Sequence, residues 1–204
     1  DVSQYTISYL PLDKPDDTGA TWTRTVTGSP TSVLGSAGLT ITQGVGEQCR
    51  YIATPSLSSP TLGIMVEAEI IPDASITSVV GLRISNGTNS FEVQLEITTT
   101  SIVFTDVVGG TIQTTAGTYG NGVVVRIILQ NSTGSWTTNV GETRASYRSL
   151  PAAGPLADVE TPDRQWTGLG QSTTVAKGSY ASSRVVFGMA SGAGSSSWRR
   201  VHYV

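Results

Sequence analysis

Apolar and polar side chains alternate with a period of two along most of the chain. Leu62, Ile64, Val66, Ala68 and Ile70 interleave with Gly63, Met65, Glu67 and Glu69, and Phe91, Val93, Leu95 and Ile97 interleave with Glu92, Gln94 and Glu96. Successive side chains of an extended chain point to opposite faces, so each run predicts a strand with one face for a core and one for water. The run from Gly122 to Gln130 is apolar on both faces except at Arg126, the pattern of a central strand covered on both sides. Arg184–Ala190 and Trp198–Val204 predict the last two strands. Further candidates are Gln4–Tyr9, Thr21–Val26, Leu39–Thr42, Gln48–Ala53, Ser78–Ile84, Ser101–Thr105 and Thr111–Thr114, with weaker patterns at Ser135–Val140 and Gln165–Leu169. Turn signals separate them at Ser85-Asn86-Gly87, Gly109-Gly110 and Asn121-Gly122. No stretch of about 11 residues or more carries a helical stripe. The pattern predicts an all-β, antiparallel two-sheet sandwich built as a single domain from residues 1–204. The stretch Ser149–Gln165, with Pro151, Pro155 and Pro162, is expected to be a long loop, because proline cannot donate to a central ladder.

Composition narrows the function classes. Of 204 residues 13% are charged, against an average near 25% for globular chains. Ser and Thr make up about a quarter of the chain, a bias towards strands and turns. The 12 basic and 15 acidic residues leave a net charge of −3 and form no basic stripe, which argues against a nucleic-acid partner. No apolar run reaches the roughly 18 residues of a membrane-spanning helix. Opening on Asp1 without a charged-then-apolar leader, the chain is expected to derive from a longer precursor. The low charge and the Ser, Thr and Gly content suit an extracellular or virion-surface protein.

Cys49 and His202 are the sole cysteine and histidine. An intrachain disulfide and a cysteine-based zinc site are therefore excluded, and Ser-His-Asp or Cys-His chemistry within one subunit would rest on His202 alone. Cys49 is expected to be a small packed side chain and His202 a strand residue without chemistry. Asp16 and Asp17 form the only adjacent carboxylate pair and lack the dense oxygen-ligand spacing of a calcium loop. No metal and no cofactor are expected.

From residue 61 onwards the order of features resembles the concanavalin A-like lectin/glucanase jelly roll, also seen in laminin G-like domains. The pieces are Gly81-Leu-Arg-Ile-Ser-Asn-Gly87 running into Ser90-Phe-Glu-Val-Gln-Leu-Glu96, then Ser101-Ile-Val-Phe104, the Val123–Leu129 strand, and the closing Val186-Phe-Gly188 and Trp198-Arg-Arg-Val-His-Tyr203. The resemblance implies two stacked antiparallel sheets, one of them concave, with glycan bound on the concave face or its rim loops. Glu92-Val-Gln-Leu-Glu96 is also similar to the Glu-x-Asp-x-Glu strand of laminarinase-like glycoside hydrolases. That likeness implies a retaining pair of carboxylates in Glu92 and Glu96, which needs a separation of about 5–5.5 Å. Gln94 stands where that family has its central Asp, and it cannot tune neighbouring carboxyls through charge.

A sugar site needs an aromatic ring to stack on a pyranose and planar polar groups for its hydroxyls. Trp136, Trp166 and Tyr119 lie among polar or glycine-rich neighbours and are the candidate rings, with Arg126 and Gln94 as hydrogen-bonding groups projecting from the concave sheet. Ordinary packing is the competing role for each ring, and it is the expected one for Trp22 and Trp198. The leading functional expectation is a non-catalytic carbohydrate-binding or adhesion module whose partner is a glycan or cell-surface polysaccharide. The alternatives are a laminarinase-like hydrolase and a structural virion protein. In the last case the composition resembles phage tail and capsid-decoration domains, and the partners would be other virion or surface proteins and copies of itself, commonly as a trimer.

Overall fold

The computed structural model describes residues 7–9, 22–54, 63–85, 90–106, 110–131, 141–149, 167–172 and 182–203. Among them no helix occurs; the regular elements are strands in two antiparallel sheets. One sheet holds β1 (Ile7–Tyr9), β3 (Thr31–Gly35), β4 (Gly38–Gln43), β6 (Gly63–Ile71), β11 (Val123–Asn131), β12 (Gly141–Ser149), β13 (Thr167–Ser172) and β15 (Gly194–Tyr203). Its order is β13-β12-β11-β6-β15-β4-β3, and the second half of β15 also pairs with β1. The other sheet runs β10-β9-β8-β7-β14-β5-β2. These strands are β2 (Trp22–Thr27), β5 (Gln48–Ala53), β7 (Ser78–Ser85), β8 (Ser90–Ile97), β9 (Ser101–Asp106), β10 (Gly110–Ala116) and β14 (Ser182–Met189).

The period-two pattern marks most of these strands within a residue or two, and β5 end to end. Two strands carry too weak an alternation to be predicted. In β3 only Val33 and Leu34 are large and apolar, and Val33 is exposed on this edge strand. In β12, Gly-Glu-Thr-Arg-Ala-Ser-Tyr-Arg-Ser has no regular apolar phase. The strand expected at 135–140 and the loop expected from 150 lie outside the described residues.

The inward phases of both sheets bury one continuous core. An aromatic group ties the sheets together. Phe187 of β14 stacks on Tyr51 of β5 at 5.1 Å, meets Trp22 of β2 edge-on at 5.0 Å and touches Trp198 of β15 at 5.0 Å. Tyr203 of β15 completes the group against Trp22 at 5.6 Å. Such pairs contribute about 0.5–1.5 kcal/mol each beyond their burial. Trp22 and Trp198 are thus core anchors, as expected, and Cys49 packs in the interior with its sulfur 3.7 Å from the Ser32 hydroxyl.

The structure corrects one reading of β6. Alternation assigns Glu67 and Glu69 to water, yet they are only 5% and 4% exposed. Burying two carboxylates is costly unless cations meet them, and the cations come from neighbouring strands. On β11, Arg126 donates to Glu67 through Nε at 3.0 Å and Nη2 at 2.6 Å. On β15 a bulge after Trp198 inserts one extra residue, which turns the consecutive Arg199 and Arg200 towards the same side. Arg199 lies 3.5 Å from Glu69, Arg200 3.6 Å from Glu67, and His202 3.9 Å from Glu67. His202 is a buried member of this network.

Candidate functional site on the outer face of the seven-stranded sheet

In β8 the core takes Val93, Leu95 and Ile97, which places Glu92, Gln94 and Glu96 together on the outer face of the seven-stranded sheet. Register extends that face sideways. Glu92 lies opposite Arg83 of β7, which lies opposite Arg184 of β14. Gln94 is followed across the sheet by Gly81, Val186 and Ile52, and Glu96 by Val79, Gly188 and Arg50.

The centre of the face is therefore low. Val79, Gly81, Val186 and Gly188 line that centre with small side chains, and all four are buried (Val79 1% and Val186 3% exposed), so the solvent-facing part of the face is made by the longer polar groups around them. Two glycines are required there. Gly188 has φ +145°, a conformation L side chains rarely adopt, and a Cβ on it would run into the Cys49 carbonyl. A Cβ on Gly81 would lie 2.7 Å from Cγ1 of Val186.

The polar rim has a direction. Glu92 accepts from Arg184 Nη2 through both oxygens, at 3.0 and 3.2 Å. Glu96 accepts from Gln94 Nε2 at 2.6 Å. Arg50 reaches in from β5, close enough to sense Glu92, Arg184 and Glu96. Burial pulls its pKa below the ordinary guanidinium value and Glu92 opposes that; Arg184 adds to the lowering, while Glu96 opposes it. The Nε–H groups of Arg50, Arg83 and Arg184 are buried without an acceptor. The β8 side of the face is thus acidic and amide-bearing, and the β14–β5 side is cationic.

The residues singled out from the sequence are distributed as follows. Gln94, Glu92 and Glu96 share this face. Arg126 does not: it projects from β11 of the other sheet, into the Glu67 network, so it cannot act beside Gln94. Tyr119 is 1% exposed and packs edge-on against Tyr147 at 5.5 Å, which leaves no ring face for a sugar. Burial there pushes its hydroxyl pKa up. Trp136 and Trp166 lie outside the described residues. Sequence reasoning passed over Arg50, Arg83 and Arg184. Each occupies the outward phase of an alternating strand, which is a usable signal, but only the pairing of β5, β7 and β14 shows that they converge.

No protein-family model matches the chain, and no curated protein matches it in sequence. Solved structures do share its architecture. The legume lectin-like domain from Entamoeba histolytica superposes with a TM-score of 0.56 at 8% identity, covering 97% of this chain and 96% of that one. A mutant form of the Emp46p carbohydrate recognition domain gives 0.57 at 7% identity, covering 94% and 91%. A PL-14 alginate lyase from Aplysia kurodai gives 0.52 at 10% identity, covering 100% and 92%. The chain shares the two-sheet antiparallel jelly-roll fold of these structures. Lectin-like domains and a lyase both occur among these neighbours, so the fold leaves the chemistry to the site.

Proposed function

We propose that this protein is a carbohydrate-recognition module that binds glycan across the outer face of its seven-stranded sheet without cleaving it. One observation carries the reading: planar hydrogen-bonding groups from four adjacent strands — Glu92, Gln94 and Glu96, Arg83, Arg184, and Arg50 — converge on one face over a buried centre of small residues, Val79, Gly81, Val186 and Gly188. Sugar hydroxyls are met by side chains of this kind, which offer several donors or acceptors in a fixed plane. The lectin-like fold supports the same reading.

Among the described residues this face carries no aromatic ring, so any stacking platform falls to Trp136 or Trp166. Glycan-array and calorimetric screening tests the proposal. A ligand is expected whose affinity drops at least about tenfold in Gln94→Ala, and loss of binding in Trp136→Ala or Trp166→Ala would assign the ring. Absence of binding across a broad neutral and acidic panel discards the proposal.

A hydrolytic reading has one observation in its favour, the shared face of Glu92 and Glu96. Against it, each carboxylate is engaged by a different partner, Arg184 for one and Gln94 for the other. Reducing sugar released from β-glucans by the protein and not by Glu92→Gln would establish it. The low charge and the Ser, Thr and Gly content support an extracellular or virion-surface setting, where adhesion to a cell-surface polysaccharide is the matching role. A structural role as an oligomer, commonly a trimer, would instead give a stable assembly by light scattering with no glycan response.

A further inference from the structure

The charges on this face do not close on one another. Among the described residues three guanidinium groups meet two carboxylates. Glu92 is spent on Arg184, whose Nη2 serves both of its oxygens, and Glu96 takes the Gln94 amide. Arg83 stands in register between Glu92 and Arg184, yet no hydrogen bond or ion pair joins its side chain to another described residue. The same holds for Arg50, which senses attraction from Glu92 and Glu96 and repulsion from Arg184. Both keep a buried Nε–H without an acceptor. Those Nε atoms expose almost no surface, so an incoming anion would meet the outer nitrogens of the same two guanidinium groups. The excess of positive charge arises within a chain whose net charge is −3, so it is a property of this face rather than of the molecule.

We infer that the face selects glycans bearing carboxylates, the uronic-acid sugars, with Arg50 and Arg83 each offering a guanidinium group to a carboxylate of the oligosaccharide; the inference rests on the carbohydrate-binding reading above. A carboxylate offers two coplanar oxygens that match the guanidinium fork. In a pyranuronate with an equatorial carboxylate, that group lies near the plane of the ring. A sugar laid along the face therefore presents it edgewise to the arginine side chains. Arg83 stands beside Glu92 on β7, and Arg50 lies two strands over and four residues along, so the two arginines meet carboxylates of different sugar units while hydroxyls between them meet Gln94.

Calorimetric titration with oligogalacturonate and oligoglucuronate, each compared with its carboxyl-reduced neutral counterpart, tests this. At least one uronate is expected to bind at least about tenfold more tightly than its reduced form. In Arg50→Gln, and separately in Arg83→Gln, that preference is expected to fall to about twofold or less, with the unfolding midpoint retained as the sign of an intact fold. Reduced oligosaccharides that bind as well as the uronates overturn the inference while leaving the carbohydrate site standing. So does a preference that survives in both variants. Dextran sulfate binding as tightly as the uronates, with a steeper salt dependence, would also overturn it by exposing an unselective polyanion surface. No binding of any oligosaccharide removes both this inference and the proposed function.

Discussion

The two sheets carry the same residue types on their outer faces and use them differently. On the eight-stranded sheet, Glu67 and Glu69 are buried and arginines close over them: Arg126 grips Glu67 with two donors, and Arg199 and Arg200 arrive together through the β15 bulge. On the seven-stranded sheet, among the described residues, only Arg184 is joined to a carboxylate, while Arg50 and Arg83 make no side-chain hydrogen bond or ion pair to a described residue; a buried Nε–H without an acceptor is common to both faces, since Arg199 has one too. Burial of the acid decides between the outcomes. A buried carboxylate must be matched inside the fold, whereas a half-buried arginine on a rim tolerates open valences that a ligand can fill. The first arrangement is structural, and the second is the one proposed as a site.

The sharpest way to break this comparison is to remove one arginine from each face. Arg126→Met leaves Glu67 buried with only the longer contacts to Arg200 and His202, and is expected to destabilise the fold by about 3 kcal/mol, as for other buried pairs that lose one partner. Arg50→Met should do the opposite of harm. The lowered pKa of Arg50 means that the fold disfavours its charged form. That cost is carried at every pH below the folded-state value and relieved only as pH rises through it. Discounted for its exposure, its removal is expected to shift stability by less than about 0.5 kcal/mol, in the stabilising direction. Urea denaturation of both variants measures the contrast. Equal losses would mean that both faces are structural networks.

A second substitution tests whether the low centre is built into the backbone. Gly188→Ala adds a Cβ at φ +145°, directed at the Cys49 carbonyl of β5. It is expected to destabilise by about 2 kcal/mol, combining backbone strain with overpacking. Unchanged stability would show that the β14–β5 pairing can shift to fill the centre, and that its small residues are incidental.

The contrast between the faces also explains what could be read in advance. Strands that alternate strongly, such as β5, β7 and β8, are legible because burial of one face dictates their period. β12 is not, since Gly141–Ser149 lacks an apolar phase. Its place follows from pairing along the whole of β11. The Glu67 network was hidden for a related reason: alternation says which face a residue takes, not whether that face is covered, and its counter-charges lie far along the chain at Arg126, Arg199 and Arg200. In the candidate site, Glu92, Gln94 and Glu96 were visible as one strand's outward phase. Arg50, Arg83 and Arg184 come from three strands that only register unites. Tyr119 was misjudged because its polar, glycine-rich neighbours suggest a surface loop, while the ring itself turns inward to Tyr147.

The smallest expected effect concerns a carboxylate that meets no arginine. Glu47, partly exposed, accepts from the Gly44 backbone N–H at 2.6 Å and from that of Ser29 at 2.9 Å, clasping the β4–β5 turn to the β2–β3 connection. These two bonds favour its ionised form, the Gly44 bond most, and hold its pKa below the ordinary 4.5. The folded-state value is depressed, so the stabilisation is fully present above 4.5 and is lost as pH falls from there through the folded-state pKa. Thermal unfolding followed across that window should show a slightly shallower decline for Glu47→Gln than for the parent protein. An identical pH profile would mean that the turn is held by its backbone bond from Glu47 N to Gly44 O alone.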